Sequence, residues 1–533
     1  MKAVPRLMTS EEASTSVLVP LLLILLACIL LWLGLARGAE REKTAWAEPV
    51  NTATSAIATV APATIAESEQ WDGVERVDVV VWGSTSSGLG ALRGLRLAAG
   101  NMEVPLRVAL LSNTAALESP LVQGLCLEDE YRPGAATGFY REFRLGVMAC
   151  YQARGVWPLK RNGRLVYEPE VAEKVLTALT LGDEVIPEAG RGRVELVRLW
   201  GVLCSASDAE GDRHLILEDE TGHRQRLETR YFIDASPEAD LARALGCDYT
   251  IGRSPLHYND VWGRRPEAPA HTNLYTTSPQ SLTLLLTLSM GAEGTVPAVN
   301  EHECWLDPPP QPALPIGVPE NITATFPGSW SIRHVLPGNK RELNEAWSDC
   351  PDAALAFSWY MEPERRPILL SLLQQRALRQ AARLQEAFPG VGVARLPDWP
   401  YVRGEIMVLG ERVFSLEDVE REVEEPIACG SYAVFDRHDP RSGTQQSEWG
   451  ATVLLPLEAV KPKGHPYLLV STAYSVDYKA YNSALRMEPV RANAGAACGA
   501  LTALALAGDV SCADVDYAAL LAELEAQGHA LGE

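Results

Sequence analysis

Asp78-Val-Val-Val-Trp-Gly-Ser-Thr-Ser-Ser-Gly-Leu-Gly-Ala-Leu92 decides how this chain is read. A β-branched run ends in a glycine turn, and the turn opens an Ala/Leu-rich helix. A second apolar run, Leu106-Arg-Val-Ala-Leu-Leu111, follows. That order is a βαβ unit of the dinucleotide-binding type. The first turn of a helix has N–H groups without intrahelical acceptors, and a glycine turn lets a pyrophosphate approach them. Two positions depart from the usual pattern. Thr85 stands at the middle glycine, and Ser112 stands where an acid would bind the ribose hydroxyls. A tight turn that only packs strand against helix is the alternative reading of Gly83 and Gly88.

Working outward, composition narrows the classes. The 533 residues are 47% hydrophobic, enough to build the cores of two or three domains. Acids outnumber bases by 69 to 47, and the net charge of −22 repels phosphate backbones. No local basic patch offsets it, so nucleic-acid binding is not expected. A solvated acidic surface accounts for the charge. The ten cysteines stand singly, with no CxxC or Cys/His cluster, so no metal site is expected. Several lie in apolar runs and read as small core residues.

Val17 to Leu35 is an uncharged apolar segment of 19 residues, close to the roughly 20 that cross a bilayer as a helix. It is longer than the usual signal-peptide core, so an uncleaved anchor is expected, with cleavage near Ala36-Arg-Gly38 as the alternative. Basic residues flank both ends, and the positive-inside rule hardly discriminates. The globular part is expected on the extracytoplasmic side.

The pattern along the chain divides it into five parts. Residues 1–38 are the anchor or signal segment, and 39–73 a flexible Ala/Thr/Ser/Glu-rich linker. Residues 74–250 hold the first part of the nucleotide-binding domain. Residues 251–425 form an inserted α+β substrate domain, and 426–533 the C-terminal part of the first. Helices are expected at Thr137–Gln152, Pro169–Leu181, Pro367–Ala387 and Asn493–Leu506. Strands are expected over Val194–Ala206, His214–Phe232, Thr452–Leu457 and Tyr467–Val470. Pro308-Pro-Pro-Gln-Pro312 breaks any regular element, and Asn321-Ile-Thr323 is a formal glycosylation sequon.

Separated motifs then point one way. Beside the opening turn stand Tyr231-Phe-Ile-Asp-Ala-Ser-Pro-Glu-Ala-Asp-Leu241, Gly246-Cys-Asp-Tyr-Thr-Ile-Gly-Arg253 and Leu336-Pro-Gly-Asn-Lys340 with Asn344. Further on come Ile427-Ala-Cys-Gly-Ser-Tyr432 with Asp436 and His438, Pro462-Lys-Gly464, Arg486-Met-Glu-Pro-Val490 and Gly495-Ala-Ala497. From about Val77 to Leu506, in this order, the chain resembles the FAD-dependent oxidoreductase family that includes xanthan lyase-like proteins. That family tolerates threonine at the position of Thr85.

The resemblance implies an α/β fold with a Rossmann-like FAD-binding domain of the glutathione-reductase type, assembled from separated segments. It implies FAD as cofactor, held by Gly83, Ser84, Thr85, Ser87, Gly88, Ala235, Ser236, Ala494 and Gly495. Ala494-Gly495 is small enough for the backbone to approach the flavin ring closely. Departures fall at cofactor-contact positions: Ser112 for the ribose acid, Ser119-Pro120 and Thr472-Ala473 for glycine-containing pairs, and Ala239 for a glycine. Of an arginine-rich segment only Arg403 persists, with Ile406 and Met407 beside it. Losing several such contacts weakens FAD binding by several kcal/mol, at about 1.5–3 kcal/mol for each charged hydrogen bond.

His438 is the candidate general acid or base, with a surface turn ending at Pro440 as the alternative. Arg486 is the second candidate catalytic residue, or half of a structural ion pair. Asp129 and Tyr432 are candidate substrate contacts, against turn-capping and core packing. The expected function is a membrane-tethered flavoprotein that transfers a hydride from a small organic substrate to FAD. The alternative is a non-catalytic relative that has lost the flavin and acts as a binding or scaffold protein.

Overall fold

A computed structural model of the chain describes most of residues 73–531, without 183–193, 253–258, 265–278, 299–331 and several shorter stretches. The expected anchor, most of the linker, the proline run at 308–312 and the Asn321 sequon lie outside the described residues.

The quoted stretch forms the centre. Strand β2 (Val79–Trp82) is wholly buried, as a parallel strand covered on both faces must be. The helix Ser86–Ala98 follows, then β3 (Leu106–Ser112). On its other side β2 pairs with β8 (Tyr231–Asp234), and β8 with Leu468–Val470. Strand β4 (Val194–Trp200) closes the far edge beside β3. All four pairings of this five-stranded sheet are parallel. Strands 236 residues apart, at Phe232 and Leu468, are thus in register.

Between β4 and β8 the chain makes a second sheet. It contains β5 (Val202–Ala209), β6 (Asp212–Glu218) and β7 (Arg224–Glu228), with β1 (Gly73–Arg76) at its edge. The stretch expected as one strand over His214–Phe232 is therefore three strands. The polar turn at Asp219–His223 breaks it: Asp219 accepts the Thr221 and His223 N–H groups and ends β6. A third, antiparallel sheet contains Leu286–Met290, Ile332–Leu336, Lys340–Leu343 and Val391–Arg395. The helices Ala353–Met361 and Arg366–Ala387 accompany it.

The expected helices sit at Gly138–Gln152, Pro169–Thr180, Arg366–Ala387 and Glu488–Gly508. The last starts five residues earlier than the small-residue run suggested, because Pro489 occupies the helix's first turn, where no N–H is needed. This helix is long and apolar enough to cross a membrane, yet it is buried in the core. It lies along Ser86–Ala98 through small residues. A methyl group on Gly90 would sit 2.1 Å from the Ala492 carbonyl oxygen, and one on Gly499 2.1 Å from that of Ala91. Cys126, Cys247, Cys350, Cys498 and Cys512 are free, buried thiols. The acidity is not confined to the surface, as composition suggested. Glu118, Asp234, Glu238, Glu342, Glu405 and Glu488 are almost fully buried.

Candidate flavin slot and buried histidine network

The turn is built as its sequence requires. Gly83 takes φ +101°, a conformation side chains disfavour, and gives its N–H to Leu111 at 2.7 Å. A methyl group on Gly88 would sit 1.9 Å from the Gly83 carbonyl oxygen, so glycine is needed there to close the turn. Thr85 is the helix N-cap. Its Oγ1 accepts the Gly88 N–H at 3.2 Å and donates to the Ala235 carbonyl at 2.8 Å. Threonine at the middle position is thus a cap and a tie between β2 and β8.

Gly83, Ser84, Thr85, Ala235 and Ser236 come together at the ends of these strands. Several of their polar groups are engaged within the chain. The Ser84 N–H donates to Glu118 Oε2 at 3.0 Å. The Ser236 N–H and hydroxyl donate to Asp234 Oδ1 at 2.9 and 2.7 Å. The Ser87 hydroxyl donates to Ser471. Gly495 departs from the expected role. A methyl group there would sit 1.9 Å from the Ser87 carbonyl oxygen, so its bare Cα serves helix packing. Ala494, beside it, is fully buried.

Around the helix N-terminus the space is nearly closed. The cavity lined by Thr85, Glu118, Pro120, Glu238, Trp399, Thr472, Glu488 and Arg491 holds about 10 Å³. That is room for about one water, against roughly 300–1,000 Å³ for a ligand pocket. The chain's own side chains fill the rest. Glu118 Oε1 accepts the Asn113 N–H at 2.8 Å, and Arg366 bridges Asn113 Oδ1 at 2.9 Å and both Asp240 oxygens at 2.6 and 2.8 Å. Trp359 Nε1 donates to Glu238 at 2.8 Å, and its ring meets Trp399 edge-on at 4.9 Å. Ser119 and Thr472 are part of this filling: Ser119 bonds the Ser86 hydroxyl at 2.7 Å, and Thr472 donates to Ala235 at 3.0 Å.

Carboxyl groups also line the slot. Burial pushes Glu118 up to about 7, with Asn113 pulling down and Glu238 pushing up. Burial likewise raises Glu238 against Arg366, and Glu488 against Arg491. A pyrophosphate here would meet three buried carboxyl groups. In this conformation the residues present do not fit FAD.

The two candidate catalytic residues are brought into one network. His438 is buried, which rules out the surface-turn alternative. Its Nδ1 lies 2.7 Å from Asp349 Oδ2 and its Nε2 3.4 Å from Asp436 Oδ1. Arg486 Nη2 donates to Asp436 Oδ2 at 2.8 Å, and Arg403 Nη1 pairs with Asp349 Oδ1 at 3.0 Å. Two carboxylates thus grip the imidazole, each backed by an arginine. Against the upward push of burial, Arg403 and His438 hold Asp349 well below the usual carboxylate range. Arg437 binds both oxygens of Glu405 at 2.8 Å, and Asn482 donates to the same carboxylate.

Asp129 pairs with Arg164 at 3.0 Å. Tyr432 is buried and stacks at a tilt on Tyr131 at 5.3 Å. Sequence reasoning missed Glu118, Glu238, Asp349 and Arg366. Glu118 was legible, since this acid directly precedes Ser119-Pro120. Asp349 lies 89 residues from His438 with no motif joining them.

The family model for FAD-dependent oxidoreductases matches residues 78–524. The chain belongs to the FAD-dependent oxidoreductase family. FAD is the cofactor of that family. No curated protein matches the chain. Among solved structures it is similar to AlpK, at 16% identity and TM-score 0.25, over 43% of this chain and 41% of that one. It is similar to CabE, an aromatic hydroxylase from angucycline biosynthesis, at 16% and 0.23, over 42% and 40%. The chain thus spans less than half the length of each. The myxobacterial chondrochloren halogenase CndH aligns at 11% and 0.35, over 85% and 78%.

Proposed function

We propose that this member of the FAD-dependent oxidoreductase family is a membrane-tethered enzyme acting on a small organic substrate, and that its flavin slot opens before the cofactor enters. The intact strand–turn–helix unit at Val79–Ala98, inside a family match over residues 78–524, carries this reading. Bound FAD would supply a hydride acceptor. The chain's own contribution would be the helix N-terminus at Thr85 and the imidazole of His438, oriented by Asp349 and Asp436, with Arg486 fixing the Asp436 carboxylate. The test is flavin uptake by the full-length protein in detergent. One FAD retained per chain, and released on denaturation, supports the reading. A colourless protein that takes up no FAD from excess sinks it.

A second reading has a specific observation behind it. The 10 Å³ cavity favours a relative that keeps the fold without the flavin and acts by binding. The same titration separates the two. For the tether, alkaline washing should leave the full chain with the membrane and release a chain lacking residues 1–38. Protease protection in sealed vesicles reports the expected extracytoplasmic side.

A further inference from the structure

A second cavity, of about 360 Å³, lies apart from the slot. The helices Gly138–Gln152 and Glu488–Gly508 line it, with the strand pair Pro426–Ala433 and Trp449–Pro456 and the C-terminal residues near Ala530. Its size is that of a small-molecule pocket. Leu454, Pro489 and Leu531 give it an apolar wall.

Its charge is unlike the rest of the molecule. The chain carries −22, yet Arg132 and Arg141 both line this cavity and are exposed. Neither makes an ion pair within the described residues, where most arginines have carboxylate partners. Among the described residues that line it, the one carboxyl group, Glu130, is already engaged. It accepts the Arg132 N–H at 2.8 Å and the Ser431 N–H at 3.2 Å. Burial also raises its pKa, against the pull of the backbone N–H groups it accepts.

Tyr140, Ser431 and Thr452 complete the wall, but their hydroxyls have almost no accessible surface, so the polar chemistry offered to a ligand is that of the two arginines.

We propose that this cavity binds a small organic anion, its charged group held by Arg132 and Arg141 and its apolar body lying against Leu454 and Pro489. The inference does not depend on the flavin slot being open or shut.

The test is calorimetric titration of the full-length protein in detergent with benzoate, phenyl phosphate and neutral benzamide. At least one of the two anions should bind saturably at one site per chain and raise the melting temperature, and benzamide should do neither. If only one anion binds, it identifies the group as carboxylate or phosphate. The variant Arg132→Ala/Arg141→Ala, which removes two exposed side chains without ion pairs, should fold normally and lose at least tenfold in affinity. Arg141→Lys should keep most of it. Binding of neither anion, equal binding of benzamide, or full affinity in the double variant would overturn the proposal.

Discussion

The Glu118 carboxylate accepts the backbone N–H of Ser84 at 3.0 Å. A donor at the helix turn, of the kind that elsewhere meets a pyrophosphate, is thus spent on the chain's own acid. The same carboxylate closes onto Asn113, and Asn113 onto Arg366. The slot is shut by a chain of side chains, and Glu118 is its innermost member.

Removing that member should favour the cofactor. Glu118→Gly frees the Ser84 N–H and takes away one buried acid. FAD affinity, followed by flavin fluorescence, should rise at least tenfold, or about 1.4 kcal/mol. An unchanged affinity would mean that Glu118 does not control entry.

The pH dependence of stability has a defined sign. Burial raises Glu118 from 4.5 to about 7 and Asp234 from 3.8 to about 7. The folded state therefore holds these protons after the unfolded chain has lost them. Stability is fully present below about pH 4 and falls as pH rises towards 7, by roughly 3 kcal/mol for Glu118. Glu118→Gln should remove its share of the fall. His529 acts oppositely, since burial pushes it down to about 4. Its contribution is lost as pH falls from 6.5 to 4. Thermal melts of wild type and Glu118→Gln across pH 4–8 read these slopes.

Helix packing sets a third expectation. Gly495→Ala places a methyl group 1.9 Å from the Ser87 carbonyl oxygen. It should destabilise the fold by about 1–3 kcal/mol, because two backbones must separate. Gly291→Ala, with open space around it, should change the melting temperature little. Gly88→Val would break the turn itself, so loss of flavin in that variant would report folding.

The buried ion pairs give a fourth. Arg486→Met leaves Asp436 without its arginine in the core and should cost about 3–5 kcal/mol in urea unfolding. Adding Asp436→Asn should recover part of the loss. A cost no larger than that of an exposed ion pair would mean that water reaches Asp436.

Much of the fold was legible because its signals are local. The β-branched run, the Gly83 turn and the small-residue helices are read within a dozen residues of themselves. The break at Asp219–His223 was missed because one alternating pattern ran across a polar turn. The polar clusters were less legible. His438 and Arg486 were singled out, but Asp349 was not, since no periodicity links residues that meet only through folding.

Sequence alone determined the βαβ core, the family and the positions where the family's cofactor contacts are altered. Each of those rests on short-range pattern or residue identity. Tertiary structure decided what the alterations do. Glu118 reaches Ser84 across 34 residues, Trp359 reaches Glu238 across 121, and Arg366 reaches Asn113 across 253. Packing brought these groups to one helix N-terminus and closed it, because buried carboxyl and guanidinium groups must find partners wherever the chain can supply them.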